Sequence, residues 1–257
     1  MKIRLAALLA CMALSAPLAA RQFETISFGV DGGYPPFDVL APSGEITGFD
    51  IDIANALCTQ LNAKCVFVKQ PFESMIAALN AHKFDAIIAS LNITDERKKE
   101  VDFTDRYYRS EAQLVARKGS PLLPQAASLK GKTVGVQTGS THEAFARANW
   151  ANHGVKIVGY ANQDNVYLDL LSGRIDAALQ DNIQAATGFI DTPRGQKFAF
   201  AGPVIQDGGI SSDVGIAVNK DNPALRDALN WAIKAIRADG TYDAIQKKYF
   251  SFDIYGK

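Results

Sequence analysis

"AALNAHKFDAIIASLN" (77–92) and "LDLLSGRIDAALQDN" (168–182) decide how this chain folds. Each reads as a helix end, a polar turn, an Asp-Ala step and a buried strand. A second pair precedes them in the same order: "ISFGVDGGYPPF" (26–37) and "KTVGVQTGSTHEAF" (132–145). Both are short β-rich runs with alternating apolar residues that break into a glycine-containing loop. A strand–helix unit used twice argues for two α/β lobes with largely parallel sheets. The chain, at 257 residues, is long enough for two such cores.

The helices follow from spacing and end signals. "GFDIDIANALCTQLNA" (48–63) carries apolar residues at helical spacing, with Asp50 and Asp52 in the first turn, where they complement the helix dipole. "PFESMIAALNAHK" (71–83) repeats the pattern and ends in a cation. "THEAFARANWANHG" (141–154) is preceded by Ser140, which with Glu143 has capping-box spacing. "NPALRDALNWAIKAIRADG" (222–240) starts after Asn-Pro and stops at Gly240, and "TYDAIQKKYF" (241–250) makes a last short helix. Two crossovers between lobes are expected, near "RYYRSEAQ" (106–113) and near the Gly/Ser-rich "PVIQDGGISSDVG" (203–215). Residues 21–109 then form the first part of lobe one, 110–211 form lobe two, and 212–257 return to lobe one.

Residues 1–20 stand apart. Lys2 and Arg4 precede the apolar run "LAALLACMALSA" and the small residues of "PLAA", the layout of a secretory signal peptide, with cleavage expected after Ala20. Cys11 would serve a lipoprotein, but the apolar stretch before it is too short. Without Lys2 and Arg4 the mature chain has 25 basic and 27 acidic side chains, a charge of about −2. That balance gives nucleic acid no basic patch to meet, and no internal apolar run approaches the ~20 residues of a membrane span. Cys58 and Cys65 remain, an even number in an exported chain. They read as a disulfide that stabilises the fold by roughly 2–3 kcal/mol, with two buried thiols as the alternative. The histidines (His82, His142, His153) show no metal-ligand spacing with them or with each other.

In open α/β sheets ligands bind beyond the carboxyl ends of the strands. That rule selects four loops, two from each half: Asp31–Phe37, Ser90–Arg97, Thr138–His142 and Gln180–Asn182. Arg97 offers a fork that matches a carboxylate. Ser140 and Thr141 open a helix, where free N–H groups favour an anion. Asp181 follows a buried strand and suits an ammonium group. Together these make a receptor for a zwitterion, an α-amino acid. Asp31 adds a second carboxylate, which calls for a cationic side chain, and Tyr34 and Phe72 are placed to flank its stem. Each residue also has a plainer use: Asp31 and Ser140 as caps, Tyr34 and Phe72 as core, Asp181 paired to a local hydroxyl. Catalytic motifs are missing. Gly131-Lys132-Thr133 would end a P-loop, but Ala126 stands where its first glycine belongs. His142 and Glu143 could do acid–base work, and Glu143 is explained more simply as a cap by its helix start.

The segments "YPPF", "GFDIDIANALC", "DAIIASLNITDERKKEVDFTDRYY", "GKTVGVQTGST", "YANQDNVYLDLLSGRIDAALQD", "FAFAGP" and "DGTYDAIQKKYFSFDIYG" resemble the periplasmic polar and basic amino-acid-binding proteins of ABC importers, from about Ile26 to Lys257. Lysine/arginine/ornithine-, arginine- and histidine-binding proteins are the nearest in pattern. The resemblance implies a two-lobed type II "Venus flytrap" fold with two crossovers, no cofactor, no catalysis, a monomer in the periplasm and an inner-membrane permease as partner. It implies that Arg97 grips the α-carboxylate with the backbone of Asn92 and Thr141. Asp181 takes the α-ammonium group with the backbone of Ser90. Asp31 faces the distal cation between Tyr34 and Phe72, while Gln137, Ser140 and His142 lie near the ligand. Cys58 and Cys65 match the family disulfide. Three positions depart from the family: Ala89 where basic-residue binders often carry Ser, Asn92 for a common Ser, and Gln137 for an apolar residue. These departures leave arginine, lysine, ornithine, histidine and an arginine-derived opine open as ligands. A dehydratase on the same scaffold would need a general acid or base in the cleft. A sensor fused to the membrane would need a spanning segment.

Overall fold

The computed structural model describes residues 23–205 and 210–256. The signal peptide, its cleavage after Ala20, the Cys11 alternative and residues 206–209 of the second crossover lie outside the described residues. Two five-stranded sheets form the two lobes. The first runs Lys64–Lys69, Thr25–Val30, Ala86–Ile87, Asp213–Val218, Asp102–Arg109. The second runs Lys156–Tyr160, Thr133–Gln137, Ala177–Asp181, Ala112–Arg117, Phe198–Phe200. The paired segments of the sequence take equivalent places, since Thr25–Val30 and Thr133–Gln137 each pair in parallel on both sides.

The sheets are mixed rather than largely parallel. In the first, Asp213–Val218 runs antiparallel to both its neighbours; in the second, Ala112–Arg117 does. The reason is connectivity. The chain enters each of these strands straight from a crossover, with no helix to carry it back to the sheet's starting edge, so it runs in the reverse sense. A small sheet, Gly33–Tyr34, Asp38–Leu40 and Ile46–Thr47, was not foreseen; its strands are too short to carry a period.

The C-terminal helices, Pro223–Ala238 and Thr241–Tyr249, pack on the first sheet. Leu225, Leu229, Ile233, Ile236 and Ile245 share one buried cluster with Phe28 and Phe49. Aromatic rings cement it: Phe37 stacks on Tyr108 at 4.8 Å, and Phe49 meets Phe250 at 5.4 Å. The Tyr242 hydroxyl donates to the Tyr107 carbonyl at 2.6 Å. Asn222 caps the first of these helices and Pro223 opens it, as the sequence signals predict. The 71–83 segment is less regular than predicted: a 3₁₀ turn at Phe72–Ser74 precedes a short helix, Met75–Asn80. Cys58 and Cys65 form a disulfide joining the end of helix Phe49–Gln60 to strand Lys64–Lys69. None of the described helices is long and apolar enough to cross a membrane.

The two crossovers run side by side. Ile205 bridges to Ala112, and the Ser110 N–H donates to the Ser212 carbonyl at 2.9 Å. The Asn182 side-chain oxygen accepts from the Glu111 N–H at 3.2 Å, tying this strip to the end of strand Ala177–Asp181. Among the described residues these two neighbouring segments link the lobes, and paired links of that kind are how a hinge is built.

Candidate functional site

The carboxyl ends of both sheets face one another, and between them lies a cavity with about 10 Å³ of free volume, room for about one water. Ten of the twelve predicted ligand-site residues line it: Asp31, Tyr34, Phe72, Ala89, Ser90, Asn92, Gln137, Ser140, His142 and Asp181. Arg97 and Thr141 are attached to that lining through Asn92. The lobes are drawn together over this space. Small-molecule sites typically measure ~300–1,000 Å³, so a solute larger than water reaches these groups only after the lobes part.

Arg97 answers to its local sequence. The Thr94 hydroxyl caps the single turn Asp95–Lys98 by accepting from the Arg97 N–H at 3.2 Å. That turn leaves Asp95, Glu96, Lys98 and Lys99 outside, paired as Asp95–Lys98 and Glu96–Lys99, and aims Arg97 inward. Its guanidinium donates to the Asn92 carbonyl at 2.9 Å and, across the cleft, to the Gly139 carbonyl at 3.0 Å. It also lies 5.7 Å from the Phe72 ring centre. Burial lowers its pKa to about 10 against the pull of Asp181, so it stays charged at neutral pH. Among the described residues it has no ion-pair partner within 4 Å.

Asp181 is the opposite pole. The Tyr34 hydroxyl, from the other lobe, donates to its Oδ2 at 2.5 Å. Its Oδ1 is buried with no hydrogen-bond partner and stands 3.6 Å from His142 Nε2, equally buried and unpartnered. Burial raises the Asp181 pKa to about 7, with Tyr34 and Arg97 opposing. Burial first, then the Arg97 charge, push His142 down to about 3, so the imidazole is neutral. Asp31 does not cap its own turn; Asp38 does, accepting from the Gly32 N–H at 2.8 Å. Asp31 instead accepts from Gln137 Nε2 across the cleft at 2.9 Å, and burial lifts its pKa to about 6. Asn92 accepts from the Thr141 hydroxyl, again across the cleft, at 3.0 Å. Ser140 both lines the cavity and caps helix Thr141–Asn149, accepting from the Glu143 N–H at 3.1 Å. The expected capping box is altered: the Glu143 carboxylate takes the Gly139 N–H at 2.8 Å, one residue earlier than the motif requires. Gln180 and Asp181 sit in the last turnings of a strand rather than in a loop.

Two residues were missed. Gln163 also lines the cavity. It opens the helix after strand Lys156–Tyr160, and applying the strand-end rule to that strand would have found it. The sequence presents Asp50 as a helix-dipole complement; in the structure it is buried, and its carboxylate is an anchor beneath the site. Its Oδ2 accepts from the Ser90 N–H at 2.8 Å and the Ser90 hydroxyl at 3.1 Å, and its Oδ1 from the Tyr107 hydroxyl at 2.9 Å. Ser90 needs such a hold, since its φ of 53° lies in the left-handed region. Burial raises the Asp50 pKa to about 7. A carboxyl shifted upward by folding contributes stability that is fully present below the unfolded value near 4 and is lost as pH rises through about 7. Asp50→Ala strands three donors and should cost about 2–3 kcal/mol in urea unfolding. Asp50→Asn should cost less and flatten the stability profile between pH 4 and 7; an unchanged profile would remove Asp50 as its source.

Glycines let the lobes meet. A Cβ on Gly139, at φ +78°, would lie 2.8 Å from Glu73 Cα, and one on Gly188 would lie 2.2 Å from the Pro35 carbonyl oxygen. Neither gap holds a methyl group.

Two α/β lobes on a paired-strand hinge, with one cation and two carboxylates facing across the gap, define a clamshell solute-binding protein. The chain belongs to the bacterial extracellular solute-binding proteins, family 3, whose family model matches residues 26–252. It is 47% identical over 234 residues to the lysine/arginine/ornithine-binding periplasmic protein of Escherichia coli K12, covering 91% of this chain and 90% of that one. It is 46% identical, over the same shares, to the histidine-binding periplasmic protein of Salmonella typhimurium LT2. Among solved structures, an ancestral arginine-binding protein bound to arginine superposes with a TM-score of 0.81 at 36% identity, covering 88% of this chain and 98% of that one. The fold is thus the type II periplasmic binding fold that the sequence resemblance implies.

Proposed function

We propose that this protein is the periplasmic capture component of an ABC importer for a cationic L-amino acid. It binds as a monomer and delivers its ligand to an inner-membrane permease. The observation that carries the reading is the charge arrangement around one cavity. Arg97 is partly buried and its guanidinium donates only to carbonyls, Asp181 keeps a buried oxygen without a partner, and Asp31 supplies a second carboxylate. A zwitterion with a distal cation supplies a partner for each: carboxylate to Arg97, ammonium to Asp181, side-chain cation to Asp31. Phe72 and Tyr34 offer the apolar walls for the stem between the two ends. Bringing those partners together from both lobes makes hinge closure favourable once the ligand is bound.

The test uses the mature protein unfolded and refolded to strip carried ligand. Melts are then recorded with arginine, lysine, ornithine, histidine, citrulline, polyamines and opines. A ligand at ~1,000 Kd stabilises the folded state by about 4 kcal/mol, a shift of several degrees. A shift with any of the four cationic amino acids is expected. A shift with a neutral amino acid or an opine alone would overturn the cationic assignment, and no shift at all would favour an enzyme on this scaffold.

A further inference from the structure

Gln137 meets Asp31, the carboxylate assigned to the distal end of the ligand, across the cleft. The side chain ends strand Thr133–Gln137 of the second lobe and is 5% exposed. Its Nε2 donates to Asp31 of the first lobe at 2.9 Å. Both residues line the cavity. The amide's orientation is fixed by chemistry. An ionised carboxylate only accepts, so the NH₂ group must face Asp31. The amide oxygen, on the other arm of the same planar group, then remains as a second acceptor. One acceptor belongs to each lobe, so the pair is assembled only when the lobes meet.

Resting on the cationic amino-acid reading above, we infer that Gln137 is a specificity-determining residue that selects a guanidinium over an ammonium or an imidazole at the distal end of the ligand. A guanidinium spreads five N–H donors in one rigid plane and so can serve two neighbouring acceptors that are separated sideways. A lysine or ornithine ammonium is a compact point charge. It gains most from Asp31 and little from the amide, whose donor already occupies part of the carboxylate. An imidazole presents at most two N–H groups pointing apart. With an apolar residue at 137, Asp31 would be the sole distal acceptor and the three cations would be ranked by charge and fit alone.

The experiment is calorimetric titration of refolded mature protein with arginine, lysine, ornithine and histidine, comparing the unaltered chain with Gln137→Leu and Gln137→Met. Methionine keeps the length of glutamine without its amide, and a melting temperature for each variant checks folding. The unaltered protein should favour arginine over lysine and ornithine by at least about tenfold. Both variants should lose most of that preference, with arginine weakened about tenfold or more and lysine changed by less than about threefold. If the arginine-to-lysine ratio survives in both variants, or if the unaltered protein binds lysine or histidine more tightly than arginine, Gln137 is not the selector. Absence of binding to all four ligands would instead bring down the cationic amino-acid reading, and this inference with it.

Discussion

Arg97→Ala should abolish tight ligand binding while the protein still folds. The guanidinium is a partly buried cation at the cleft with no carboxylate within 4 Å among the described residues, held by the carbonyls of Asn92 and Gly139. Those bonds fix its direction without neutralising it. A ligand carboxylate meeting it from the cleft gains a two-pronged, charge-assisted contact shielded from water. Truncating one member of such a pair costs about 3–5 kcal/mol, at least a 100-fold rise in Kd. Folding should suffer little, because each lobe's apolar core is built without this side chain. Arg97→Lys should fall between, keeping the charge but losing the fork. Calorimetry with the best ligand decides the matter. Affinity within about threefold of the unaltered protein in Arg97→Ala would remove Arg97 from the carboxylate role.

The second large effect is on pH. Asp181 and Asp31 have their pKa values raised by burial to about 7 and about 6, so protonation of either carboxylate competes with its pairing to a ligand cation as pH falls. A bound cation lowers both values, and affinity therefore falls as pH drops through them. Each group contributes up to about tenfold per pH unit below its own pKa in the free protein. From pH 7 to 6 the expected loss is up to about tenfold, from Asp181; below 6 both act and the slope approaches two protons per ligand. His142, held near 3, stays neutral throughout this window, and Arg97, near 10, stays charged. Asp50 titrates near 7 but bonds Ser90 and Tyr107 rather than the cavity, so it acts on folding stability. Asp31→Asn should limit the slope to one proton and weaken cationic ligands far more than neutral ones. A flat affinity between pH 7.5 and 5 would show that neither carboxylate pairs with the ligand.

Much of this site was legible because strand ends collect polar residues in the chain order that the fold imposes. "DGGY", "SLNIT…R", "TGST" and "QDN" each follow a strand signal, and all four converge. What stayed illegible depends on which groups face each other across a gap. Nothing in "GFDID" says that Asp50 turns beneath Ser90 rather than toward water. Nothing near Gln137 says that its amide meets Asp31, 106 residues away. Tyr34 was read as either core or ligand wall, and its body lies in the core cluster while its hydroxyl reaches Asp181. The mixed strand directions were hidden for a related reason. Apolar alternation marks a strand but carries no sign for its sense within the sheet.

The two glycines that touch the opposite lobe also set the travel of the jaws. At Gly139 and Gly188 it is main chain that arrives against Glu73 and Pro35, and at Pro35 the Gln184 side-chain amide donates to the same carbonyl at 2.9 Å. The closing stroke therefore ends on a hard stop rather than a soft cushion. With that stop reached the chamber holds about one water, so any larger guest leaves the jaws short of it by an amount set by the guest's own size.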